Sequence, residues 1–485
     1  MGSETPFRIL VLGDFGARAH RGLAEPGPAL GRRRLVRVDR DLCEKALATI
    51  APELRLSCGA GVGDVVLAPR RLEDFHPEAI AARIPTIRSL VGLRTRLLDP
   101  RTFADAAEEL RAVVDAGPKE GPPAEPPPPQ GYSLEDVFGA TESRPKAPED
   151  EWAALVRELV GPEIEKLRVP GARPEQAKFV AAVDAAIAER LRAVLHHPAF
   201  RDLEAAWRSV RMLVRGLETS PELTIDLLDV TKAEVADDVG VSGSFAASGL
   251  HRRLVEETVE TPGAPQWALV VGLFTFDAVP RDVATLLRVA KLGHAAGAPF
   301  VAAGDGGIVG CRSLGTTPEP EEWTAPGDAA GRELFAALRR VPEASSVGLV
   351  WPRMLLRAPY GRETDEVEGF AFEEMTDGVR HDLLLWGNGA VAVALVLGDA
   401  FARAGADLRS EIDADVRGLP TVLREVDGER EIVPCAEAIV RTRGAERIAQ
   451  AGMIPLLSVA NEATVRVGSL RSVAADGSEI AGRWL

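Results

Sequence analysis

An α/β fold is predicted by three features of the sequence. Short apolar runs ended by turns, FRILVL (Phe7 to Leu12, before Gly13-Asp14) and WALVVGLFTF (Trp267 to Phe276), have the length and density of strands covered on both faces. A helical segment with Val283, Leu286, Leu287 and Ala290 and a further apolar run, PFVAA, follow the second. This β-α-β alternation calls for a sheet flanked by helices. Two amphipathic helices meet at His196-His197-Pro198. Phe179, Val183, Ile187, Leu191 and Leu195 recur four apart before the break, and Leu203, Trp207, Val210, Val214 and Leu217 share one face after it. Proline has no amide donor and suits a first helical turn, so a new helix begins at Pro198 and Leu203, Trp207, Val210 and Val214 form a structural core helix.

Composition bounds the function. With 485 residues the chain accommodates about two to four domains and a sizeable core. It has no run of eighteen apolar residues and no basic N-terminus leading into an apolar stretch, so neither membrane insertion nor a standard export signal is expected, and a cytoplasmic location is. Cys43, Cys58, Cys311 and Cys435 are far apart and form no CxxC pair, which indicates neither a disulfide framework nor a zinc site. The net charge of −16 argues against a nucleic-acid partner. Residues 1–114 carry 18 Lys/Arg against 15 Asp/Glu and the remainder 39 against 58, giving a mildly basic head on an acidic body.

In chain order, RRRLVRVDRD reads as a strand whose basic run, Arg32 to Arg34, is solvated, and Asp41 to Ile50 as a helix with an acidic start. The glycine-rich Cys58 to Asp64 reads as a tight turn between strands. The DFHPE turn leads into helices carrying Ile80, Ile84, Ile87, Leu90 and Leu93, then Leu97, Phe103 and Leu110, with His76 as a local hydrogen-bonding residue. From Asp115 to Asp150 proline, glycine and charge dominate, the composition of an extended linker. Within it SLEDVFGA places Leu134, Val137 and Phe138 at helical spacing, either as a short helix docking on a partner or as a nascent helix in a tether. Farther on, LTIDLLDV is a strand, Thr231 caps the next helix, Ser346 to Gly361 joins a strand to a turn, and HDLLLWGNGAVAVALVLGDAFARAGA begins at a turn and continues as an apolar helix.

Catalytic chemistry finds no foothold. LGDFG lacks the GxxxxGK[ST] spacing of a phosphate loop, and both dinucleotide readings fail in register, at Asp64 and at Val309. Gly240 to Ser244 misses GxSxG at its last position. His196 and His197 point about 100° apart on a helix and suit packing or capping better than a shared metal. Glu373-Glu374 reads as an exposed pair. No catalytic, cofactor-binding or metal-binding residue is assigned.

Several stretches carry a family resemblance. FRILVLGDFGAR, VDRD, LEDFHPEAI, LRTRLLDPRTF and AAEELR, in that order over about residues 6–114, resemble the small contractile-sheath protein of type VI secretion systems, the TssB or VipA family. HHPAF with LEAAWRSVRMLV, WALVVGLFTFD, DVATLLRVAKLGHAAGAPFVAA, VGLVWPRMLLRAPYG, F-x-FEE, WGNGAVAVA, GLPTV, PCAEAIV and AGMIPLLSVANEATV resemble the large one, TssC or VipB, over about 133–467. The resemblance implies a natural fusion: a small-subunit-like part (1–114), a Pro-rich linker (115–150) and a large-subunit-like part (151–485), the two parts jointly building a mixed sheet with flanking helices.

It implies a non-enzymatic subunit without cofactors. Such a subunit forms a cytoplasmic helical tube of its own copies around an inner tube of Hcp-like protein, with baseplate components as further partners, and contraction expels the inner tube. A ClpV-like AAA+ ATPase recycles the sheath through a short helix, a role that falls here to Leu134, Val137 and Phe138, or next to Trp152 to Val160. Sheath neighbours exchange strands at sheet edges, and large sheath proteins continue past the VANEATV region with further helices and a terminal strand. This sequence ends at ADGSEIAGRWL. That departure keeps open an accessory or assembly factor that binds sheath components without polymerising; an α/β nucleotide-binding enzyme is the third reading.

Overall fold

The computed structural model describes residues 6–23, 25, 28–59, 63–115, 175–240, 245–324, 328–426 and 428–484. The proposed recognition residues Leu134, Val137 and Phe138, the linker around them and Trp152 to Val160 lie outside the described residues.

The first part contributes strands β1 (Phe7–Gly13), β2 (Val36–Val38), β3 (Leu54–Ser57) and β4 (Asp64–Leu67). Its helices are α1 (Cys43–Ile50), α2 (Pro77–Arg83), α3 (Pro85–Leu98) and α4 (Phe103–Asp115). The acidic start expected at Asp41 belongs instead to Asp39, whose Oδ1 accepts from the amides of Asp41 and Leu42. The glycine-rich stretch after Cys58 joins β3 to β4, and Gly59 and Gly63 hold φ of +79° and +73°, values open to glycine at no steric cost.

After residue 174 come α5 (Glu175–Leu195), α6 (Pro198–Gly216), β5 (Leu223–Asp229), α7 (Lys232–Val239), β6 (Leu269–Phe276), α8 (Pro280–Ala296) and β7 (Phe300–Gly304). Next are α9 (Ala329–Leu338), β8 (Val347–Trp351), β9 (Met354–Arg357), β10 (Leu385–Gly387) and α10 (Ala390–Ala404). The chain continues with β11 (Asp415–Arg417), β12 (Leu423–Val426), β13 (Glu429–Ile432), α11 (Thr442–Gln450), β14 (Ile454–Ser458) and β15 (Thr464–Val467). Where the sequence reads a turn before α10, the structure has β10 paired antiparallel with β9, a local pairing that no side-chain period announces.

Nine strands form one mixed sheet in the order β11-β15-β14-β8-β7-β6-β1-β5-β2. The six from β14 to β5 run parallel, while β15, β11 and β2 pair antiparallel at the two sides. Because side chains alternate along a strand, β1 feeds both faces: Phe7, Ile9 and Val11 enter one core, and Leu10 and Leu12 the other. The first core holds α5, α6 and α10; the second holds α7, α8 and parts of α9 and α11.

Helix α10 is buried almost all round from Ala390 to Leu397, and small residues let α6 close on it. A Cβ at Gly216 would sit 2.5 Å from Leu395 Cδ2, and one at Gly398 would sit 2.8 Å from Leu217. Leu203, Trp207, Val210 and Val214 all lie in this core, Trp207 with no exposed surface. Its indole donates to the Phe15 carbonyl at 2.9 Å, and its ring meets Phe15 edge-on at 5.6 Å. Cutting a buried aromatic to alanine removes transfer free energy and leaves a cavity. Trp207→Ala is therefore expected to cost about 3–5 kcal/mol in urea unfolding; an unchanged midpoint would show that this indole supports nothing.

Candidate functional site: the seam between the two parts

Among the described residues, polar and apolar groups meet along the line where residues 6–115 adjoin those after 174. Its spine is β1. From Phe7 to Gly13 it pairs with Leu223 to Asp229 of β5 on one edge, and from Ile9 to Leu12 with Leu269 to Gly272 of β6 on the other. The pairing continues beyond the strand, since the Val230 amide donates to the Gly13 carbonyl at 2.8 Å and the Ala268 amide to the Arg8 carbonyl at 2.9 Å.

Beyond the carboxyl end of β1 the loop is clamped by Glu234. Thr231 and Glu234 form a capping box at the start of α7, and the same carboxylate takes Arg18 Nη2 and Arg33 Nη2, each at 2.9 Å, and the Glu25 amide at 2.9 Å. Despite burial, these donors hold its pKa down at about 2. Arg33 is thus drawn into the seam while Arg32 and Arg34 stay exposed, so the basic run is solvated at its ends only. The T-x-x-E spacing of the box is visible in the sequence; the two arginines it attracts are about 200 residues away in the chain and are not.

A second polar knot lies under the start of α6. Arg357, buried, donates through Nε to Glu204 at 2.7 Å and through Nη1 to Glu374 at 2.7 Å. Arg208 bonds the Tyr360 hydroxyl at 2.8 Å, and that hydroxyl points at the Phe75 carbonyl of the first part, 3.5 Å away. Burial pushes the phenol up to about 12, and Arg357 leads the interactions that draw Glu374 down to about 2. The expected exposed pair Glu373-Glu374 is thereby corrected: the two do point opposite ways, but only Glu373 meets solvent, and Glu374 is buried as the counter-charge of Arg357. Outside these knots, Arg94 of α3 pairs with Asp184 of α5 and donates to the Gly369 carbonyl at 2.9 Å.

The carboxyl ends of parallel strands are where open α/β sheets hold phosphates and cofactors. Here Asp14, Asp277 and Asp305 directly follow β1, β6 and β7, and Asp229 is the last residue of β5. Asp14 takes the amides of Arg18 and Ala19, so the loop donors that a phosphate would need are already satisfied by a carboxylate. Asp305 likewise caps the turn at Gly306–Val309, and the failed glycine registers mark turns, not anion cradles. The described residues contain no cluster of three or more His, Cys, Asp or Glu fit to hold a metal, and no helix among them is long and apolar enough to cross a membrane.

The model of the VipB tail sheath N-terminal domain matches residues 177–474, and that of the type VI secretion VipA family matches residues 2–116. The chain belongs to the VipB tail sheath family. Its leading part is VipA-like, so it is a fusion of TssB-type and TssC-type sheath sequences. It is 32% identical over 289 residues to the type VI secretion system sheath protein TssC1 of Pseudomonas aeruginosa, covering 58% of this chain and 58% of that relative's length. It is 25% identical over 122 residues to the sheath protein TssB1 of the same organism, covering 23% of this chain and 69% of the relative. The two matched regions of this VipB-family chain are the two sides of the seam.

Not every seam carboxylate is held in its charged form, since burial raises the pKa of Asp14 and of Asp229. Asp229 accepts the Gly16 amide at 2.8 Å, yet burial, with Asp14 beside it, raises its pKa to about 6. The folded chain therefore binds this proton more tightly than the unfolded chain, and stability falls as pH rises from about 4 to about 6. Asp229→Asn keeps an acceptor for Gly16 and removes the charge. Its melting midpoint is expected above wild type at pH 7.5, by the equivalent of about 1–3 kcal/mol, with the gap closing below pH 4. A gap independent of pH would mean that the ionised Asp229 is not strained in the fold.

Proposed function

We propose that this chain is a structural subunit of a type VI secretion contractile sheath. It works as a ready-made small-plus-large protomer, assembled in the cytoplasm as a helical tube around an Hcp-like inner tube and attached to baseplate components. Contraction of that tube would drive the inner tube, with its effectors, out of the cell. The observation that carries this reading is β1, a strand of the VipA-like part bonded on both edges by strands of the VipB-like part. Residues 1–114, 115–150 and 151–485 then act as small-subunit part, tether and large-subunit part. A tether of suitable length keeps the first part at roughly millimolar effective concentration near the second, which fixes the stoichiometry at one to one.

Electron microscopy of the purified chain, alone and with the inner-tube protein, is the direct test. Helical tubes are expected, at least when the inner tube is present. Discrete particles under both conditions would overturn the polymer reading in favour of a non-polymerising accessory.

The recycling handle is assigned to Leu134, Val137 and Phe138, the large apolar residues of a Pro-rich tether, as the sheath resemblance suggests. Replacing Leu134 and Phe138 with Ser is expected to abolish co-purification of a ClpV-like ATPase while leaving the thermal midpoint of the protomer unchanged. Equal capture by both proteins would move the handle to Trp152 to Val160.

A further inference from the structure

Two helices that face the seam begin the same way, with His-Pro. In α2 the ring of His76 and in α6 the ring of His197 serve as N-cap, each accepting through Nδ1 from the amide of the second helical residue, Glu78 or Ala199, at 3.3 Å. The proline between removes one amide that would otherwise need a partner. Phe75 and Phe200, next to the two caps, meet edge-on across the seam at 5.6 Å. A histidine can cap in this way only when neutral. Protonation turns Nδ1 into a donor aimed at a donor, and it adds a positive charge where the helix dipole is already positive.

The surroundings of the two caps differ. His76 has Asp365 at 3.9 Å from Nε2 and the Tyr360 ring at 5.1 Å on the facing loop, with Glu73 and Glu78 on its own side. His197 instead faces His20, from the loop after β1, with ring centroids 6.4 Å apart. His20 is itself fixed by its Nε2, 2.8 Å from the Arg55 carbonyl. Arg201 and Asp202 lie one turn along α6, and neighbouring His196 turns away to Glu374, 3.6 Å from its Nε2.

We propose that His197, facing His20 across the seam, is an acid-sensitive latch: with its ring neutral it caps α6 and holds the loop after β1 against the start of that helix, and its protonation releases the loop. The loop so released is the one that carries Arg18 to the Glu234 clamp. Burial and His20 both keep the His197 pKa below its ordinary value. The folded chain therefore takes up this proton less readily than the unfolded one, and the stability it confers is whole above about pH 6.5 and lost as pH falls below it. Asp229 changes stability in the opposite direction over much of the same range, so the latch is isolated by comparing variants and not by the wild-type profile alone.

Hydrogen exchange of the full-length chain, corrected for intrinsic rates, is compared at pH 7.5 and 5.5 for wild type, His197→Asn and His76→Asn. In wild type the protection of residues 198–203 and 14–23 is expected to fall about fivefold at the lower pH, the ratio that accompanies loss of an N-cap. Asparagine caps without titrating, so His197→Asn should keep its protection, whereas His76→Asn should lose it as wild type does. The same change in protection in wild type and in His197→Asn, whether a loss or none, would overturn the latch. Thermal midpoints give a second reading, with His197→Asn and wild type together at pH 8 and parting below pH 6.5; a gap of constant size overturns it as well. The proposal does not depend on whether the chain forms tubes.

Discussion

The structure depends on the position of one strand. β1 comes from the first seven residues of the VipA-like part that take a regular form, yet it lies inside the sheet, with β5 on one edge and β6 on the other. Removing it would expose two rows of backbone donors and acceptors and strip Phe7, Ile9, Val11, Leu10 and Leu12 from two cores at once. Neither part therefore holds a complete sheet of its own. Fusion in one chain answers that constraint, because a contact that must form between two polypeptides becomes one that forms within a single molecule.

Electrostatics then decides how the seam closes. Glu234 gathers Arg18, Arg33 and two amides, and Glu374 with Glu204 encloses Arg357, so the buried charges here are paired and hydrogen-bonded. Such pairs are a poor source of net stability, but breaking one leaves its partner buried and uncompensated, which penalises a misplaced register. The same chemistry explains why the parallel strands of this mixed sheet end in no anion cradle among the described residues. Carboxylates stand at the ends of β1, β5, β6 and β7, and Asp14 and Asp305 occupy the loop amides themselves.

The far end of the described chain also returns to β1. Trp484 packs on Phe401 at 5.4 Å and on Phe7 at 6.1 Å, and Ile480 is buried beneath the sheet. Ile480 and Trp484, which lie beyond the region of resemblance, thus pack on the core around the first strand. The single tryptophan of ADGSEIAGRWL among small and polar residues gives no period by which a reader could foresee this.

Local pattern by itself determined the strand character of FRILVL and WALVVGLFTF, the helix restart at Pro198, the buried stripe through Trp207 and the turn between β3 and β4. Each follows from alternation, helical spacing or backbone chemistry within some twenty residues. Ordered motifs also determined the joint sheath-like character of the two parts. Tertiary structure alone decided that β1 sits between β5 and β6, that Glu374 is the buried counter-charge of Arg357 and not a surface residue, and that Arg33 leaves the exposed basic run for Glu234. Strand order and ion pairing join residues up to about 260 positions apart in the sequence, and a free energy that arises only when such distant groups are desolvated together leaves no local period to read.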